Sequence, residues 1–440
     1  MDKTMKRKYL ILALIFSLQI NVLMAQQHQF TSVEEIWTYA LTHNPENSIY
    51  QLKIEQAKED KRNANSYIYP KISAGFSGQK NIKTPETPVP GEILGKPGET
   101  VYLKFGQDYS YNTGLTISKS ILNWQAKYQN KIAKLTVSYK ETEKKHYEQI
   151  LKEQSAQIYY AALTANQAVA IGNRDMLIAD SLLALANDRF DAGLIDALTL
   201  NQVKINRNNV SEKLVQSKEY QHQYLQNLKE LLGLTATDSV TLTENIGLQK
   251  PILPEYALMP DDSYLDLFRL QTDMAGYEVK KSSARFAPKI DYVHYIGGVQ
   301  YQNDLTLSFK QENWRPNNYI GLSISIPLFT GFSNKAQYKS AKISKSIAEK
   351  SYRDEIRKSA IADSILLNSY LSAAQLVESA TKTYQISENS VELTAQKYSQ
   401  GLIGLDEYLK LFEDYLDAEN QYLNRLSEYL IIRATIEARK

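Results

Sequence analysis

Residues 408–430 read YLKLFEDYLDAENQYLNRLSEYL, and Tyr-Leu recurs there at Tyr408, Tyr415, Tyr422 and Tyr429, each pair seven residues after the last. The apolar register around these pairs is explicit: Leu405, Leu409, Phe412, Leu416, an interruption at Glu419, then Leu423, Leu426 and Leu430. Steps of four and three make the 3.5-residue period of a left-handed coiled coil. The tyrosines widen the stripe by one residue, and a stripe wider than a two-stranded seam can touch neighbours on two sides. The helix therefore reads as a stave in a wall. The alternative is a simple antiparallel hairpin packed on itself.

The stave follows KYSQGLIG at residues 397–404, and an earlier copy of that turn, RFDAGLID, occupies residues 189–196. The duplication extends further. YPKI at residues 69–72 returns as APKI at 287–290, and GLTIS at 114–118 returns as GLSIS at 321–325. From Pro70 to Gly114 is 44 residues, against 33 from Pro288 to Gly321. From Gly114 to Gly193 is 79, against 80 from Gly321 to Gly401. Surface loops tolerate insertions, whereas two long helices ending at one level do not. Each half thus holds a variable loop followed by a rod of fixed length.

The rods read as helices. Residues 333–399 contain no glycine or proline, and residues 123–192 contain only Gly172. Each rod would be roughly 100 Å long at about 1.5 Å per residue. Return helices are expected over residues 196–232 and 405–437. Two shorter amphipathic helices, over 32–67 and 261–286, precede the PKI motifs.

Between each PKI and each rod lie two strand-like runs and a loop. In YIGLSISIPL, Ile320, Leu322, Ile324, Ile326 and Leu328 share one face, and Gly321, Ser323 and Ser325 the other. Strict period two means a sheet with one apolar and one polar face. The first half places Leu115, Ile117 and Ile121 opposite Gly114, Thr116, Ser118 and Ser120. Lys119 falls on the apolar face near the rod, where a membrane rim would let its stem snorkel. KISAGFSG and KIDYVHYIGGVQY supply the other two strands. Tyr109, Tyr111, Tyr292, Tyr295, Tyr301 and Trp314 lie near strand ends, as aromatic girdles do in membrane barrels; edge-strand tyrosines of an ordinary sheet are the alternative. TPETPVPGEILGKPGET reads as an exposed external loop. Four strands cannot close a barrel, since about eight are needed even for a packed interior. Strand edges cannot be left in lipid, so membrane-spanning strands would have to be pooled by several chains. Three chains would supply twelve.

The bulk composition agrees. The chain of 440 residues carries only 18 glycines and 12 prolines but 31 tyrosines. A net charge of +2 gives no case for nucleic acid, and a mean hydropathy of −0.41 excludes a bundle of membrane helices. Lys3, Lys6, Arg7 and Lys8, followed by an apolar core over residues 9–24 and a small residue at Ala25, read as a signal peptide over residues 1–25. There is no cysteine, hence no disulfide and no lipid-anchoring thiol.

Two tandem units of helix, strand, loop, strand, long helix, GL turn and return helix resemble the TolC-like outer-membrane efflux proteins. The resemblance covers nearly all of the mature chain: residues 26–232 as a first repeat, 233–260 as a connecting equatorial segment and 261–440 as a second repeat. It implies a mixed α and β membrane protein, a homotrimer whose twelve-stranded barrel in outer-membrane lipid is continuous with a periplasmic helical barrel. It implies an exit duct for a tripartite efflux or secretion system in a Gram-negative outer membrane. The partners would be a periplasmic adaptor (membrane fusion) protein and an inner-membrane transporter. Gly193, Leu194, Ile195 and Gly401, Leu402, Ile403 match the hairpin tips that meet the adaptor. Two exposed apolar residues beside each glycine would form a sticky knob. Tyr398 matches an aromatic that latches the periplasmic gate, and Asp406 and Glu407 lie where acidic rings face the lumen. Ile403 stands where a gating arginine is expected, Lys410 replaces a second acid and Thr199 replaces an acid of the first repeat.

No catalytic or cofactor-binding constellation is visible. The five histidines are far apart, and there is no HExxH, phosphate loop or dinucleotide turn. The rival class is a soluble periplasmic coiled-coil adaptor or scaffold, which would carry one hairpin between β-rich flanks rather than two hairpins.

Overall fold

The computed structural model describes residues 27–84, 86–104, 106–246 and 262–439. The expected signal peptide and residues 247–260 of the connecting segment lie outside them. In chain order the main elements are β1 (Gln27–Phe30), α1 (Val33–His43), α2 (Pro45–Asn65), β2 (Lys71–Lys80), β3 (Glu86–Pro90), β4 (Thr100–Lys104), β5 (Tyr109–Leu122), α3 (Trp124–Asp191), α4 (Ala197–Leu232), β6 (Ser239–Leu242), α5 (Asp262–Ser283), β7 (Lys289–Gln302), β8 (Arg315–Ser325), α6 (Ser333–Ser399) and α7 (Leu405–Glu437). The chain forms two compact units. Among the described residues, one comprises 27–51, 143–246, 262–263 and 356–439, the other 52–84, 86–104, 106–142 and 264–355.

The second unit carries a four-stranded sheet in the order β2-β5-β7-β8, antiparallel throughout. Register aligns the apolar positions of neighbouring strands: Ile72 faces Ile117, Leu115 faces Ile296, and Ile290 faces Ile324. This face is bare, with Ile72 and Ile320 both 67% exposed. β2 and β8 are its unpaired edges. Lys119 sits on the same face opposite Tyr292, beside the bulge that ends β5. The alternation expected to run on to Leu328 stops at Ser325, where β8 ends.

On the polar face Gly114 lies directly opposite Gly297, and the ring of Tyr295 covers both. The Tyr295 hydroxyl donates to Asn112 Oδ1 at 2.5 Å and to the Thr113 carbonyl at 3.1 Å. Tyr295 is therefore not part of a lipid-facing girdle. A Cβ on Gly114 would stand 2.6 Å from the ring carbon bearing that hydroxyl and 2.7 Å from the Ile296 carbonyl oxygen. Gly114→Ala should cost about 1–3 kcal/mol of overpacking. The expected result is a lower midpoint of thermal unfolding, followed by circular dichroism.

The first-half external loop is not bare loop. It folds into the β3–β4 hairpin, with Val89 paired to Val101, and this accounts for the longer spacing there. The second-half connection is held instead by Gln300, which is fully buried. Its side-chain amide donates to the Ser308 carbonyl at 3.3 Å and accepts from the Ser308 amide at 3.1 Å. The rods, α3 at 68 residues and α6 at 67, match to within one residue.

The first unit holds the helical core. Ser32 caps α1, its Oγ accepting from the Glu35 amide, and Glu35 Oε2 reaches back past the cap to accept from the Thr31 amide at 2.7 Å. The single helix expected over residues 32–67 is broken at Asn44, because a residue before proline is pushed out of the helical region. Asn44 then donates to the Leu231 carbonyl at 2.9 Å and accepts from the Asn47 amide at 3.2 Å. Gly233, at φ +70°, closes α4 against the His43 carbonyl, where a Cβ would sit 2.7 Å away. β1 pairs in parallel with β6, a strand within the connecting segment. No described helix is long and apolar enough to cross a membrane.

Candidate functional site

Both GL turns end their helices the same way. Gly193 and Gly401 adopt φ of +71° and +74°, the left-handed region where glycine is unstrained. The Gly193 amide donates to the Phe190 carbonyl at 2.9 Å, and the Leu194 amide to the Arg189 carbonyl at 2.8 Å. Gly401 and Leu402 make the equivalent bonds, both at 3.0 Å, to Tyr398 and Lys397. This is a Schellman motif in each repeat. It turns the leucines outward: Leu194 is 72% exposed and Leu402 67%. Ile195 and Ile403 are half-buried and pack on the hydrophobic core. Each knob thus presents one exposed leucine, not two apolar residues, because the isoleucine folds back as the staple of the turn. The next helices start differently. Asp196 caps α4 by accepting from the Thr199 amide at 2.8 Å, whereas Gly404 offers α7 no side chain.

The four tyrosines of the Tyr-Leu repeat are buried and meet aromatic partners spaced along α6. Tyr398 stacks on Tyr408 with rings 5.7 Å apart and nearly parallel, Tyr384 stacks on Tyr415 and Tyr422, and Tyr370 lies against Tyr429. Phe412 fills the interval between Tyr408 and Tyr415. Val377 and Val391 occupy the intervening heptads of α6 and are also buried. The wide stripe is therefore an aromatic seam joining α6 to α7, with α3 against it.

Tyr398, the expected gate aromatic, lies inside this seam and is 2% exposed. The Arg189 guanidinium sits 4.1 Å from the centre of its ring, and Arg189 Nη2 donates to the Tyr398 carbonyl at 2.9 Å. Burial raises the Tyr398 hydroxyl pKa, and that hydroxyl has no hydrogen-bond partner. Asp406 and Glu407 are exposed in the first turn of α7, where the helix dipole favours carboxylates. Lys410 is exposed beside them. Tyr398 thus turns into the protein while the two acids turn to solvent.

One cluster of the site was visible in the sequence only as the register break at Glu419. Arg174 of α3 donates to the hydroxyls of Tyr415 at 2.6 Å and Tyr384 at 3.0 Å, and pairs with Glu388 at 2.7 Å. Tyr415 donates to Asp175 Oδ1 at 3.1 Å. Asp175 and Glu419 are both buried and lie against one another. Burial, then the hydrogen bond and charge of Asp175, push the Glu419 carboxyl up to about 9, against the opposing pull of Arg174 and Lys213. No group of three or more potential metal-ligating side chains occurs among the described residues.

The outer membrane efflux protein family matches residues 38–234 and 265–438, and the chain belongs to that family. It is an outer-membrane efflux channel with a periplasmic helical extension, a transport protein rather than an enzyme, and channels of this family work in tripartite efflux systems. Solved channels share the fold. The Campylobacter jejuni CmeC outer membrane channel is 16% identical, with a TM-score of 0.76 over 92% of this chain and 85% of that one. The Vibrio cholerae outer membrane protein VceC is 17% identical, with a TM-score of 0.73 over 92% and 95%. The open state of the Neisseria gonorrhoeae MtrE channel is 16% identical, with a TM-score of 0.74 over 92% and 88%. No curated protein matches by sequence.

Proposed function

We propose that three copies of the chain pool their sheets into one twelve-stranded barrel, and that their hairpin tips dock a periplasmic adaptor joined to an inner-membrane transporter. The observation that carries this reading is the sheet. Its outward face is apolar and bare, and its two edges are unpaired. Such edges are not viable in lipid, and other copies of the same sheet would satisfy them. Residues 26–232 and 261–440 serve as the two repeats, with 233–260 between them. Solutes move passively, and the energy comes from the transporter.

Leu194 and Leu402, presented by Gly193 and Gly401 and braced by Ile195 and Ile403, form the adaptor contact. The gate is the lower seam at Tyr398, with Asp406 and Glu407 as carboxylate rings, one of each from every copy. A buried hydroxyl without a partner costs about 1–3 kcal/mol, so the closed seam is held below its best stability at the residue where it opens. Arg189→Ala removes a cation–π contact and a charged hydrogen bond, each worth about 1 kcal/mol or more. It should raise single-channel conductance in a planar bilayer, and unchanged conductance would remove this seam from the gate. A carboxylate ring attracts cations, so the wild type should be cation-selective and Glu407→Gln less so. Identical reversal potentials for the two would place Glu407 outside the pore.

A further inference from the structure

Where α3, α4 and α7 meet, a partly open cavity of about 310 Å³ is lined by Asp175, Lys213, Leu214, Glu419 and Asn420. Two carboxyl groups on different hairpins meet at its wall, Asp175 from α3 and Glu419 from α7, and both side chains are more than nine-tenths buried. Glu419 Oε2 has no hydrogen-bond partner. The charged and titratable groups around the pair are accounted for on every side. Arg174 of α3 is engaged by Tyr384 and Glu388 of α6 and by Tyr415 of α7. Tyr415 also donates to Asp175. α4 contributes Lys213, with Tyr220 and Tyr224 further along the cavity wall. One lysine and a committed arginine do not neutralise two buried carboxylates. Two such groups in contact cannot both ionise, so one keeps its proton.

We propose that Asp175 and Glu419 hold a single shared proton, and that this proton fastens α7 to α3 as a pH-sensitive latch between the two helical hairpins. With the proton present, one carboxyl donates to the other across the helix interface. Without it, two like charges face each other in a buried site and the helices part. The direction follows from linkage. The folded protein keeps the Glu419 proton up to about pH 9, against an ordinary value of 4.5. Stability from this contact is therefore full below pH 4.5 and is lost progressively between there and about pH 9. The latch lies on α3 and α7 away from the tip residues and does not depend on the tips as the adaptor contact.

The test is amide hydrogen exchange of the α7 segment around residue 419 in the intact detergent-solubilised protein. Wild type and Glu419→Gln are compared at the same pH, so that intrinsic rates cancel. The glutamine amide donates permanently, as the protonated acid does. At pH 4.5 the two proteins should exchange alike. At pH 9.5 the wild type should exchange about tenfold faster or more. A ratio that stays the same at both pH values overturns the proposal. Should Glu419→Gln fail to assemble, Asp175→Asn leaves one carboxyl with an amide partner, and its alkaline step should vanish. Persistence of the wild-type step in that variant overturns the proposal equally.

Discussion

Replacing Leu194 and Leu402 together by aspartate is expected to bring export down to the level of cells lacking the channel, while assembly of the barrel is unaffected. The two leucines are the apolar side chains that the Schellman turns aim at solvent, and neither contributes to the core. Surface substitutions away from packed features usually change stability by no more than about 0.5 kcal/mol, so the fold should persist. A charge buried against an apolar partner is a different matter. Anchor residues of an interface commonly cost about 2 kcal/mol or more each when lost. Two such losses weaken binding by roughly a thousandfold. The measurement is accumulation of an exported dye in cells whose only duct is the variant, with the detergent-resistant oligomer followed in parallel. Export at the wild-type rate would remove the tips from the partner site.

The second large effect is expected at Phe412, which is fully buried between Tyr408 and Tyr415 at the centre of the aromatic seam. Phe412→Ala should cost about 3–5 kcal/mol, the transfer loss plus the cavity left behind. Its neighbours are stacked rings held by fixed hydrogen bonds, such as Tyr415 by Arg174 and Asp175, so collapse into the gap is limited. The cost falls on the helices and not on the sheet, which belongs to the other unit. Limited proteolysis should therefore cut the variant first within α6 and α7, at protease levels that leave the wild type intact. Equal resistance of both proteins would contradict the seam as the source of helical cohesion.

Much of this architecture was legible because its signals are local. The GLI turns, the glycine-free rods and the alternating strands each depend on residues a few positions apart. The equal rod lengths followed from comparing the two halves. The features that were not legible depend on partners far away in sequence. Tyr295 sits near other strand tyrosines, and only the pairing of Gly114 with Gly297 shows why its ring lies on the polar face. β1 is four residues long and exists by pairing with β6. Asn44 ends a helix through its proline neighbour, a readable signal that the amphipathic pattern on both sides concealed. The exposure of Leu194, Leu402, Asp406 and Glu407 was readable from their positions. Arg174 and Asp175 were not, because a heptad pattern on α7 does not say which charged residue of α3 meets its interruption at Glu419.

The central claim is that the bare apolar sheet is one share of a common barrel wall in the outer membrane. It is tested most directly by the mass of the purified protein in detergent micelles, measured by light scattering with the detergent contribution subtracted. The full chain weighs 50.2 kDa, and the mature chain less by the expected signal peptide. The account predicts a protein mass of three chains, lost together with the detergent-resistant band on heating. A stable single chain that stays dispersed after detergent is withdrawn would contradict it.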